Sequence, residues 1–123
     1  MAISVCVMVG DTAEWIPEMV EKAKSLSVGA GTDNKDIAPM NNKGGMEKAY
    51  NIIKASESDG SKILLDGRNH KVNGYPNGNW LGPTVIDHAK PGMACYDNEI
   101  FAPVMVITRV DTLDEAINLI NSN

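Results

Sequence analysis

Residues 96–110, YDNEIFAPVMVITRV, set a carboxylate (Glu99), an aromatic ring (Phe101) and a proline (Pro103) directly before a run of β-formers. Val104 to Val110 is apolar on both faces, which predicts a strand inside a sheet covered on both sides. A loop that feeds such a strand can hold a small molecule in an α/β protein, and it can equally be an ordinary connection. The rest of the chain decides between these.

Downstream, Thr112 and Glu115 form a capping box, and Leu113, Ala116, Ile117 and Ile120 give the last helix an apolar stripe. The N-terminal end repeats the strand-then-helix pattern. Ile3 to Val9 is rich in β-branched residues and predicts an interior strand that Gly10 stops. Asp11 is read as an N-cap with Glu14 as its capping-box partner. Ile16, Val20, Ala23 and Leu26 then recur at helical spacing, with Pro17 in the first turn and Glu18–Lys22 as an i,i+4 pair.

Between these ends, residues 28–45 turn to Gly, Asn, Asp, Thr and Pro and read as a long loop, a length that points to function or docking. A second helix is expected from Met46 to Glu57, with Met46, Ala49, Tyr50 and Ile53 inward and Gly60 just past its end. Lys62 to Leu65 reads as a short strand. Residues 66–86, DGRNHKVNGYPNGNWLGPTVI, alternate turn signals with apolar residues and suggest an irregular hairpin or a pair of strands. The order predicts an α/β fold with a mostly parallel sheet flanked by helices.

With 123 residues, 43% of them hydrophobic, the chain is one domain or part of one, able to bury a core. A net charge of −5 with scattered basic residues argues against nucleic-acid partners. No apolar run approaches the ~20 residues of a membrane span, and MAISVCVMVG lacks the basic region of a signal peptide. Cys6 and Cys95 have neither CxxC nor Cys/His spacing, so they read as reduced thiols. Cys6 is expected in the core. Asp97 and Glu99 would oppose ionisation of Cys95, which argues against a nucleophile there. His70 and His88 read as surface residues, and no metal-ligand set is visible. The segments GTDNKD and NNKGG lack the strand-turn-helix context of a phosphate cradle, and no GxGxxG, P-loop, HExxH or GxSxG motif is present.

NEIFAPVMVI resembles the glutamate-isoleucine-phenylalanine-glycine-proline-valine motif of the aldehyde dehydrogenase superfamily. GNWLGPTVI, KPGMACYDNEIF and TLDEAINLINSN resemble its flanks. MAISVCVMVG, WIPEMVEKAKSL, ILLDGR and NGYPNGNWLGPT are most similar to the CoA-acylating methylmalonate-semialdehyde dehydrogenase subfamily, and the resemblance runs from Met1 to Asn123. It implies that residues 1–123 are a fragment of the catalytic domain. In the subfamily, a Met-Ala-(Ile/Leu)-Ser segment follows the catalytic cysteine directly, so the nucleophile would precede Met1 and no catalytic residue is assigned here. The Rossmann domain, the oxyanion-stabilising asparagine and the oligomerisation strand would lie outside this segment.

For the parent enzyme, the resemblance implies an oxidoreductase of valine catabolism that uses NAD, with CoA as co-substrate. A cysteine thiolate attacks the aldehyde, hydride passes to NAD, and the thioester is handed to CoA with decarboxylation. Its location would be the cytoplasm in a bacterium or the mitochondrial matrix in a eukaryote, and its assembly a homotetramer. The segment alone would be inactive, bind no cofactor and self-associate. Glu99 matches the motif's glutamate, which accepts hydrogen bonds from the nicotinamide ribose, and Phe101 matches the aromatic residue beside the nicotinamide ring. Ala102 replaces the family's glycine, with the expectation that it crowds a turn needing positive φ; Asn98 replaces a frequent acidic residue. The alternative from a different class is a standalone, non-catalytic binding or regulatory module sharing the fold.

Overall fold

The computed structural model describes residues 4–122. A four-stranded sheet in the order β1-β4-β3-β2 organises it, from β1 (Val5–Val9), β2 (Lys62–Leu65), β3 (Thr84–Asp87) and β4 (Val104–Val110). β4 pairs in parallel with β1 and β3, and β2 joins β3 antiparallel, so the sheet is mostly parallel, as expected. The helices are α1 (Ile16–Lys24), α2 (Lys43–Ser58), α3 (Ala94–Asp97) and α4 (Leu113–Asn121).

The central strand explains why YDNEIFAPVMVITRV dominates the reading. Val106 and Ile107 project to opposite faces, as the two-residue period of a strand requires. Val106 joins Ile86, Ala49, Ile52, Ile53, Leu81 and Cys95 in a core beneath α2. Ile107 joins Val85, Met8, Ile16 and Ala23 in a second core beneath α1. Full burial of an aliphatic side chain of this size contributes roughly 1.5–3 kcal/mol, so both layers hold the strand in register.

Several local expectations are corrected. β1 is an edge strand among the described residues, and only its Met8 is fully buried. The apolar pattern reports which faces a strand covers and carries no information about its edges. Ile3 lies outside the described residues. Cys6 is half-buried, packed against the edge of the core beneath α1 rather than fully inside it. Asp11 and Glu14 do not cap a helix, because residues 10–15 form a 3-10 turn closed by Thr12, whose hydroxyl accepts from Val9 N at 2.8 Å. Glu18 and Lys22 do not pair; Lys24 pairs with Glu21 at 2.9 Å instead. Pro17 sits in the first turn of α1, as its missing N–H allows.

α2 begins at Lys43, three residues before the expected Met46, because the Asn42 side chain caps it by accepting from Gly45 N at 2.7 Å. Its buried face includes Ile52 and Ser56 besides Ala49 and Ile53. Gly60 follows with φ +94, the left-handed stop predicted for it. Only Thr84–Asp87 of the 66–87 region is a strand; residues 66–83 form a loop. That loop is pinched where Gly82 N donates to Gly67 O at 2.8 Å. A Cβ on Gly67 would lie 2.0 Å from Gly82 O, so the backbones approach too closely for any side chain there. The Thr112–Glu115 capping box forms as predicted, yet Leu113, Ile117 and Ile120 of α4 remain exposed and only Ala116 is buried.

Candidate functional site

Residues 98–103 connect α3 to β4, at the amino end of the parallel strands. The connection is held from three sides. Ile100 is buried in the core beneath α2. The Asn98 side chain donates to Ala94 O at 3.0 Å, fastening the loop to α3. Thr84 N donates to Pro103 O at 2.9 Å, fastening it to β3. Between these anchors, Glu99 and Phe101 point outward, and Phe101 is 68% exposed.

α2 supplies a fourth anchor. Lys48 Nζ donates to Glu99 O at 3.0 Å, and the Glu99 carboxylate has no hydrogen bond or ion pair among the described residues. The backbone of Glu99 is therefore fixed while its two acceptor oxygens stay available. Sequence reading missed Lys48, which lies 51 positions from Glu99 and carries no local signal that distinguishes it from other helix-surface lysines.

The expected strain at Ala102 is not there. The left-handed residue is Phe101, at φ +51, and Ala102 has negative φ. The turn is made one residue earlier than the motif's glycine position suggests, because burying Ile100 and directing the chain into β4 places the reversal on Phe101. A non-glycine residue in this region carries strain, and such strain concentrates where geometry serves function.

The other candidates separate from this loop. His70 and His88 are exposed, as read. Cys95 is 1% exposed within α3 rather than in a polar loop, so its thiol is closed to solution chemistry. Among the described residues no group of His, Cys, Asp and Glu could hold a metal ion. Among the described residues no helix is long and apolar enough to cross a membrane.

A buried charge that the sequence did not flag lies at the other end of the sheet. Asp87 on β3 is 1% exposed and accepts from Arg109 on β4 through both oxygens. Burial would raise its pKa, but the Arg109 guanidinium and the His88 backbone N–H outweigh this and hold it below the ordinary carboxylate value. Loss of one partner's pattern in sequence explains the omission: aspartate at a strand end reads as a turn residue.

A sheet with parallel β1, β4 and β3 and an anchored Glu-Ile-Phe-Ala-Pro-Val entry to its central strand fits part of the fold of one enzyme family. The profile of that family, aldehyde dehydrogenase, matches residues 1–123, and the chain belongs to it. Methylmalonate-semialdehyde/malonate-semialdehyde dehydrogenase [acylating], mitochondrial, of Bos taurus is 48% identical over 124 residues, and the Homo sapiens protein of the same description is also 48% identical. Each alignment covers 100% of this chain and 23% of the relative, so the chain spans about a quarter of their length. The crystal structure of methylmalonate-semialdehyde dehydrogenase from Oceanimonas doudoroffii superposes with a TM-score of 0.93 at 38% identity, covering 99% of this chain and 26% of that one. A Sinorhizobium meliloti structure complexed with NAD gives 0.92 at 36% identity, covering 96% and 25%.

Proposed function

We propose that this chain is a segment of the catalytic domain of an NAD-dependent, CoA-acylating methylmalonate-semialdehyde dehydrogenase, and that its part in the reaction is to position the cofactor through Glu99 and Phe101. The carrying observation is the alignment of the whole of this chain, at 48% identity, with about a quarter of relatives of that description. The mitochondrial location of those relatives favours a matrix enzyme.

The residues present fit the cofactor's ribose and ring. A carboxylate accepts from two vicinal hydroxyls at once, and Glu99 offers both oxygens from a fixed backbone. The exposed Phe101 ring offers an apolar surface beside it. Bound NAD would supply the hydride acceptor. The chain's own contribution is placement, since holding a reacting group in line lowers the barrier without new chemistry. The loop sits at the amino ends of the parallel strands, whereas open α/β sheets hold ligands at the carboxyl ends. It therefore acts as an accessory contact, and the segment alone should neither bind NAD nor oxidise aldehydes.

Glu99→Gln in the full-length enzyme tests this. It removes a charge-assisted hydrogen bond worth roughly 1.5–3 kcal/mol where it is made. Part of the loss should appear as slower NADH formation in the first turnover at saturating NAD, and part as weaker NAD binding. Unchanged hydride rate and unchanged NAD affinity would leave Glu99 a plain surface acid.

A further inference from the structure

The 66–83 loop and α2 enclose a cleft of about 570 Å³, within the size range of small-ligand sites. Three of the chain's six aromatic side chains line it: Tyr50, Tyr75 and Trp80. Their placement is specified in detail. The Trp80 indole N–H donates to Tyr75 O at 2.8 Å, and the two rings meet edge to face with centroids 6.2 Å apart. The Tyr50 hydroxyl accepts from Asn69 N at 2.6 Å, which ties the loop to α2. A Cβ on Gly78 would lie 2.2 Å from Trp80 Nε1, so only glycine lets the indole close against the loop.

The charge in this cleft opposes that of the chain. No Asp or Glu lines it, although the net charge is −5; its charged or titratable lining side chains are Lys71, His70 and the two tyrosines. Lys71 makes no hydrogen bond or ion pair among the described residues, and neither does the His70 side chain. An unpaired ammonium and a ring N–H donor therefore stand beside an aromatic wall, with no carboxylate to neutralise them.

We propose that this cleft binds a planar aromatic ring carrying an anionic group. The ring lies against Tyr75, Tyr50 and Met46, where offset or edge-on aromatic contact is favourable. The anion lies at Lys71 and His70. The site is separate from Glu99 and Phe101, neither of which lines it, so it does not rest on the cofactor reading.

The test is calorimetric titration of the full-length polypeptide containing this sequence, saturated with NAD so that a dinucleotide site is already occupied. The probes are phenyl phosphate and benzoate, whose comparison tells a phosphate-bearing ligand from a carboxylate-bearing one; the controls are phenol and inorganic phosphate. Saturable binding is expected for at least one anionic aromatic probe, with both controls weaker. Lys71→Glu should weaken that binding by about tenfold or more, since a charge-assisted contact is lost and replaced by repulsion. Tyr75→Ala should weaken it independently. Lys71 is exposed, so its replacement leaves the fold intact, and an unchanged melting temperature checks this. The proposal is overturned by an absence of saturable binding, by undiminished binding to Lys71→Glu, or by a control that binds as tightly as the aromatic anion.

Discussion

Arg109 grips Asp87 across β4 and β3 with a two-pronged guanidinium–carboxylate contact, in which Nε lies 3.1 Å from Oδ1. The pair is asymmetric. Asp87 is 1% exposed, while the Arg109 side chain is 39% exposed. Removing one member is therefore not equivalent to removing the other.

Arg109→Ala leaves a buried carboxylate with the His88 N–H, at 2.7 Å, as its main remaining donor. That should cost about 3 kcal/mol, the scale of stranding a buried charge. Asp87→Ala strands only a solvated guanidinium and should cost about 1–2 kcal/mol. Urea unfolding of both variants checks the order; a larger loss for Asp87→Ala would contradict it. The depressed Asp87 pKa also sets a sign. Stability from the pair is complete above the unfolded carboxyl pKa and is lost as pH falls through the lower folded value. Melting temperatures taken from neutral pH into acid should therefore fall more steeply for the parent protein than for Asp87→Asn.

Phe101, at φ +51, carries the strain of the entry loop, and Ala102 does not. Phe101→Gly should stabilise the fold by about 1 kcal/mol, because glycine takes that conformation freely and little buried surface is lost. Ala102→Gly, which restores the motif's glycine, should cost about 0.5–1 kcal/mol through backbone entropy. Thermal unfolding distinguishes the two. NAD affinity should fall in Phe101→Gly alone.

Lys48 fixes the backbone of Glu99 from α2. Lys48→Met keeps the length and removes the donor, at a cost of about 1 kcal/mol for an exposed hydrogen bond. Stability should fall by no more than that, while KM for NAD in the full-length enzyme should rise by about fivefold. An unchanged KM would show that the loop holds its position without Lys48.

α4 exposes Leu113 at 66%, Ile117 at 46% and Ile120 at 60%, one apolar face of a well-capped helix. A contiguous stripe of this kind promotes association. The 123-residue chain alone should self-associate in light scattering, and the triple change Leu113→Gln, Ile117→Gln, Ile120→Gln should reduce it. A monodisperse monomer before mutation would count against the expectation.

The strands Lys62–Leu65 and Val104–Val110, the α4 capping box and the Gly60 stop coincide with their expected positions. Each depends on neighbours within a few residues, through side-chain alternation, a reciprocal cap or a left-handed glycine. The errors share the opposite character. The edge position of β1, the exposed face of α4 and the restriction of the 66–87 region to one strand at 84–87 depend on which segments meet in space.

By itself, the sequence determined the α/β class, the central strand and the Glu99–Phe101 motif, because local periodicity and a short contiguous motif carry them. Tertiary structure alone decided that Lys48 would hold Glu99 O across 51 positions, that Asp87 would be buried against Arg109, and that the turn strain would fall on Phe101. The physical reason is the range of the interactions. A hydrogen bond between distant residues exists only once packing has brought their segments within about 3 Å, and no pattern along the chain records that distance.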